Sequence, residues 1–136
     1  MKYYLFLFFF ITSQNIFSQN AKLTNSDKSI SKIEESIYDG NEIDKRPSFP
    51  NGFSDFYNYF GKNFNTYKTI DEVSGEIILT FVIEIDGSIS NIVLLQDFDG
   101  LGKEAIRVME NCPNWIAAER KGKKVRARFR LPIKIP

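Results

Sequence analysis

Asp86-Gly87 is the feature that most restricts what this chain can fold into. It stands alone between two runs rich in Ile, Val, Leu and Phe, within the stretch from Gly75 to Gln96. Asp-Gly between apolar runs signals a tight hairpin, because a primed two-residue turn needs positive φ, which glycine adopts freely and aspartate tolerates. A two-residue loop sets Phe81 opposite Ile92 and Leu79 opposite Leu94. Side chains alternate across a strand, so Ile77, Leu79, Phe81 and Ile83 then share one face with Ile92 and Leu94. This pair of strands forms the heart of a small α+β domain.

Helical patterns flank the hairpin. Upstream, Arg46-Pro-Ser-Phe-Pro-Asn-Gly52 is turn-rich, with two prolines fixing φ and Asn-Gly permitting a tight turn. Ser54 or Asp55 is then the expected N-cap of a helix whose Phe53, Phe56, Phe60 and Phe64 fall near helical spacing and face the core. Downstream, Asp97-Phe98-Asp99-Gly100 reads as a solvated loop that caps the next helix. That helix runs from Leu101 to Cys112, with Leu101, Ala105, Val108, Met109 and Cys112 on one face, and Pro113 stops it. Trp115, the single tryptophan, is expected to wedge between helix and sheet. Gly122 opens the last turn. From Lys123 to Ile135 the chain alternates cleanly, Val125, Ala127, Phe129, Leu131, Ile133 and Ile135 facing one way and Lys124, Arg126, Arg128, Arg130 and Lys134 the other. Pro132 on the outward side lacks an N–H, which marks an unpaired edge. The expected order is α-β-β-α-β, a three-stranded antiparallel sheet with helices on one side.

The amino terminus has a different character. Lys2 precedes a nine-residue apolar run, Tyr3 to Ile11. A membrane span needs about 20 apolar residues, so residues 1–18 read as a secretory signal peptide, cut after Ser18 to leave Gln19 first. The alternative is a retained amphipathic anchor. Residues 19–46 are polar and read as a leader or linker in which Ile30, Ile33 and Ile37 give a weak helical stripe. The domain occupies residues 47–136.

Chemistry-bearing residues are sparse. The 136 residues contain no histidine, which removes Ser/His and Cys/His dyads and the commonest metal ligand. Cys112 is the single cysteine and cannot form an internal disulfide. Asp97 and Asp99 lack the further acidic ligands of a calcium loop, and no phosphate-cradling glycine loop is present. The reading is a protein that is not an enzyme and has no catalytic, cofactor or metal residues. Charge is nearly balanced, 18 Lys+Arg against 17 Asp+Glu, yet from Glu119 to Pro136 eight basic residues face one acid. Three readings fit this basic tail: protection of a strand edge, an electropositive shelf beside a groove for an acidic peptide, or weak contact with anionic lipid or cell-wall polymer. An export signal argues against nucleic acid.

The order of these pieces resembles the TonB carboxy-terminal domain family. The likeness covers Pro47 to Pro136. It is carried by Pro47-Ser-Phe49-Pro50-Asn-Gly52, Gly75, Phe81-Val82-Ile83 with Asp86-Gly87-Ser88, Glu104-Ala105-Ile106-Arg107-Val108, Pro113-Asn-Trp115, Gly122-Lys123-Lys124-Val125 and Leu131-Pro132-Ile133. It departs at Asn51, where a second glycine is usual, and at Ala117-Ala118, where Pro-Gly or Pro-Ala is common. The resemblance implies a domain that holds a short peptide of an outer-membrane TonB-dependent transporter, or of a related envelope protein, as a strand added beside its last strand. Val125, Arg126, Ala127, Arg128, Phe129, Arg130 and Leu131 would form the docking strand. Full-length members sit anchored in the inner membrane and pass proton-motive energy to nutrient transporters. This chain shows no convincing span and no Pro-rich spacer, so the expectation is a periplasmic binder, with homodimers among its associations. The alternative is an inner-membrane-anchored energy transducer facing the periplasm.

Overall fold

A computed structural model describes residues 36–66 and 74–135. The signal peptide expected over residues 1–18, and the leader as far as residue 35, lie outside the described residues. The elements are β1 (Ile37–Tyr38), α1 (Phe53–Asn63), β2 (Gly75–Ile83), β3 (Ile89–Gln96), α2 (Gly102–Glu110), β4 (Ala118–Arg120) and β5 (Lys123–Ile135). The sheet runs β1-β5-β2-β3, with β4 also paired to β5. It is mixed, because β1 lies parallel to β5 while the other pairs are antiparallel.

The order is β-α-β-β-α-β-β and not the expected α-β-β-α-β with three strands. β1 and β4 add two short ones of two and three residues. β1 exists by pairing with the distant β5, whereas β4 pairs with the segment that directly follows it, Arg120 opposite Lys123 across a Lys121-Gly122 turn whose two residues both take positive φ.

The apolar periodicities build one main core and a second, small cluster in which Tyr38 and Ile43 pack on Ala118, Val125 and Ala127. Ile77, Leu79, Phe81 and Ile83 of β2 cluster with Leu131, Ile133 and Ile135 of β5, Phe56 and Phe60 of α1, and Ala105, Val108 and Met109 of α2. Both helices therefore cover the same face of β2 and β5. Ile92 and Leu94 of β3 pack against this cluster as expected. Each large side chain so buried contributes about 1.5–3 kcal/mol. Phe53, expected to face the core, is 43% exposed. The helix begins there, and the residue leans on Phe129 and Trp115 at the rim. Trp115 wedges as expected: its ring lies 5.3–6.1 Å from those of Phe49, Phe53, Phe56, Phe81 and Phe129. Among the described residues its indole N–H has no hydrogen-bond partner of ordinary geometry. It nonetheless acts on the Cys112 thiol, opposing the rise in pKa that burial imposes there.

The helix starts differ from expectation in one place. The N-cap of α1 is Gly52, and no side chain caps it. Gly52 O accepts the Phe56 N–H at 3.4 Å, so the helix starts one or two residues before Ser54 and Asp55. At α2, Asp97 Oδ1 accepts the Gly102 N–H at 2.8 Å, the capping role expected of that loop.

The hairpin differs in detail too. Gly87 N–H donates to Glu84 O at 2.9 Å and Glu84 N–H to Ser88 O at 2.8 Å. The loop is therefore the three residues Ile85–Gly87, with glycine alone at positive φ (85°). A type I turn closed by a left-handed glycine has this pattern, whereas a two-residue primed loop needs a second positive φ. Leu79 does face Leu94. Phe81 does not face Ile92 alone, because the register slips between Thr80 and Val82. Asn91 and Ile92 together oppose Phe81, and Asn91 takes φ 49°. A second slip, between Ile78 and Leu79, leaves Leu95 unmatched. Both extra residues belong to β3, the outermost strand, where bulges are commonest.

Candidate docking edge

β5 is the long strand against which three others register, so its two edges decide what it can still bind. β2 takes one edge without interruption, from Ile83↔Ala127 to Gly75↔Ile135. β1 pairs Ile37 with Arg126 and Tyr38 with Ala127. Since β1 and β2 both pair with Ala127, they lie on opposite edges. β4 covers Lys123 to Val125. Among the described residues nothing pairs with the second edge of β5 from Arg128 to Ile135.

Pro132 fixes which backbone groups point outward there. It holds its place opposite Ile78 in an unbroken ladder. A proline has no N–H to give β2, so its nitrogen lies on the other edge. Alternation then turns the backbone N–H and C=O of Arg128, Arg130 and Lys134 outward with it.

The seven residues expected to dock divide along this line. Val125 is buried opposite Ala118, and Ala127 is buried between β1 and β2. Arg126 is engaged with its own sheet. Its Nε donates to Glu84 Oε2 at 2.6 Å and its Nη2 to Oε1 at 3.1 Å, and the Ser90 hydroxyl donates to the same carboxylate. The Arg126 bonds hold the Glu84 carboxyl below its ordinary pKa, against the opposing effect of desolvation. Arg128, Phe129, Arg130 and Leu131 lie on the open part. Leu131 is buried opposite Leu79, and the Phe129 ring sits 5.6 Å from Phe81 and 6.0 Å from Phe53. Of these four, Arg128 and Arg130 turn both their backbone groups and their exposed side chains to the open edge, while the backbone groups of Phe129 and Leu131 face β2.

Residues 39–46, from the stretch read as leader, lie beside this edge together with Pro47. Arg128 Nη1 stands 3.4 Å from Asp39 Oδ1, both side chains more than half exposed. The Tyr38 ring lies 4.8 Å beneath the Arg120 guanidinium. Bridges from Lys45 to Glu119 and from Ser48 to Ile116 fasten the chain on either side of Arg46. Asp39, Ile43 and Arg46 were invisible as site residues in the sequence, since no periodicity ties them to β5. The Arg46-Pro47 step was the one local sign of a fixed backbone.

No three Asp, Glu, Cys or His side chains converge among the described residues in a way that could hold a metal ion. Nor is any helix there long and apolar enough to cross a membrane. Residues 71–134 match the family model of the Gram-negative bacterial TonB protein C-terminal. No curated protein and no solved structure matches the chain.

Proposed function

Residues 71–134 form a domain of the TonB C-terminal family, and on that premise we infer that this TonB-like envelope protein binds extended peptide by strand addition on β5. The occupant is a segment of an outer-membrane TonB-dependent transporter or of a related envelope partner, met in the periplasm. One observation carries this reading: the edge from Arg128 to Ile135, open among the described residues, on a strand otherwise fully engaged. Eight residues accommodate a strand of ordinary length. Outward N–H and C=O groups supply affinity, and the cationic side chains beside them orient an acidic segment and speed its encounter. The same charges keep the edge from pairing with other sheets while it is empty.

The experiment is capture from detergent-solubilised outer membranes by the full chain. Wild type is expected to retain a TonB-dependent transporter. Arg130→Pro, which removes one outward N–H, is expected to lose it while keeping its circular dichroism and melting point. Equal retention by a folded Arg130→Pro protein means that docking does not use this edge.

A further inference from the structure

We propose that a recess at the head of the open edge, formed by Arg46, Arg128 and Arg130, is a carboxylate subsite that selects docked segments bearing an Asp or Glu side chain. The proposal rests on strand addition along β5 and names the chemistry that the edge prefers. The recess has a volume of about 420 Å³, and Ile43 and Pro47 give it an apolar wall. Among the described residues Asp39 is the one acid in its lining, and it lies against Arg128. Arg46 and Arg130 have no ion pair or hydrogen bond among the described residues. Three arginines thus line a small concavity with one acidic residue among the described residues.

Such a cluster repels itself until an anion enters. A guanidinium presents paired N–H donors in a plane that matches a carboxylate, and an apolar wall strengthens the attraction by excluding water. Arg46 is held ready, because the bridges at Lys45 and Ser48 fix its backbone on both sides and little order remains to be imposed on binding. Arg128 and Arg130 are two of the outward backbone positions, so a strand lying on the edge passes directly over the recess. A peptide carboxylate fits that placement better than a lipid headgroup, which would make no use of the strand edge.

The test is selection of a displayed random octapeptide library on the immobilised full chain. Wild type is expected to enrich peptides with Asp or Glu at one position by about tenfold over other positions, the factor that about 1.4 kcal/mol gives. Arg46→Gln combined with Arg130→Gln is expected to keep selecting extended peptides but to lose the acidic position. Arg130→Pro is expected to select nothing. An acidic position that persists in the double variant, or is missing from the wild-type pool, overturns the subsite and leaves strand addition standing. Acidic selection surviving in Arg130→Pro, which lacks both the outward N–H and the Arg130 guanidinium, overturns the subsite and strand addition together. A wild-type protein that enriches no peptide overturns the proposal, whether or not the arginines govern its adsorption to phosphatidylglycerol vesicles.

Discussion

Glu84 and Arg126 lock the base of the hairpin to β5 through two hydrogen bonds, at 2.6 and 3.1 Å, with both side chains less than a quarter exposed. Arg126 is thereby engaged within its own sheet. Arg126→Ala is expected to cost about 1–3 kcal/mol, the range for a charged hydrogen-bonded group left with its partner half-buried. Glu84 has a depressed pKa in the folded protein. Its contribution is therefore complete above the ordinary carboxylate value of 4.5 and fades as pH falls through the lower folded value. Urea titrations from neutral to acid pH should show the variant losing less on acidification than wild type.

Glu104 gives a larger acid effect of the same sign. Two bonds from Arg107, and one from the Asn65 N–H, pull its pKa down from 4.5 to about 2. Arg107 also donates to Asn63 O at 2.6 Å, so the pair ties the end of α1 to α2. Stability from this group is present above pH 4.5 and lost toward pH 2. Glu104→Gln should melt lower at neutral pH and vary less than wild type across that window.

Gly87 cannot be replaced quietly. At φ 85° a side chain is strained, and an added Cβ would sit 1.8 Å from Trp115 O. Gly87 O also accepts the Trp115 N–H at 2.7 Å. Gly87→Ala is expected to cost at least about 1–3 kcal/mol, seen as a lower urea midpoint and a changed near-ultraviolet dichroism from Trp115.

Phe81 is 1% exposed and faces Phe129 across the β2–β5 ladder. Phe81→Ala should cost about 3–5 kcal/mol, against a total of about 5–15 kcal/mol for an ordinary domain. A melting point within a degree or two of wild type would refute the face assignment.

Two prolines one residue apart separate edge from ladder. Phe129 turns its N–H toward β2 and Arg130 turns its own outward, by the alternation that Pro132 sets. Phe129→Pro should unfold the domain or strip it of cooperative melting, whereas Arg130→Pro should melt as wild type and fail only in capture. The arginine side chains act at longer range. Their share of capture should decline once ionic strength brings the screening length to about 10 Å, near 0.1 M.

The chain announced its core well and its edges poorly. The core face of Ile77, Leu79, Phe81 and Ile83, the alternation of Val125–Ile135 and the helical stripe of Phe56 and Phe60 survive because each is a local period set against a large burial gain, although Ile78 and Val82 between the β2 core positions are buried too. Asn91 and Leu95 each disturb the register without any unusual residue to advertise it, because a bulge is chosen by how the outer strand coils on its neighbour. Ile37 and Tyr38 are a strand only because β5 offers them an edge. Arg126 looked like its neighbours Arg128 and Arg130. Glu84, 42 residues away, is what distinguishes it.

The two bulges in β3 bear on how copies of this protein can meet. An endless head-to-tail stack would require the outer edge of β3 in one molecule to lie flat against β5 of the next. With Asn91 and Leu95 breaking its spacing, β3 is a poor template for that union. Growth of an endless sheet is thereby opposed at both ends, by the broken spacing of β3 at one and by the cationic side chains of β5 at the other.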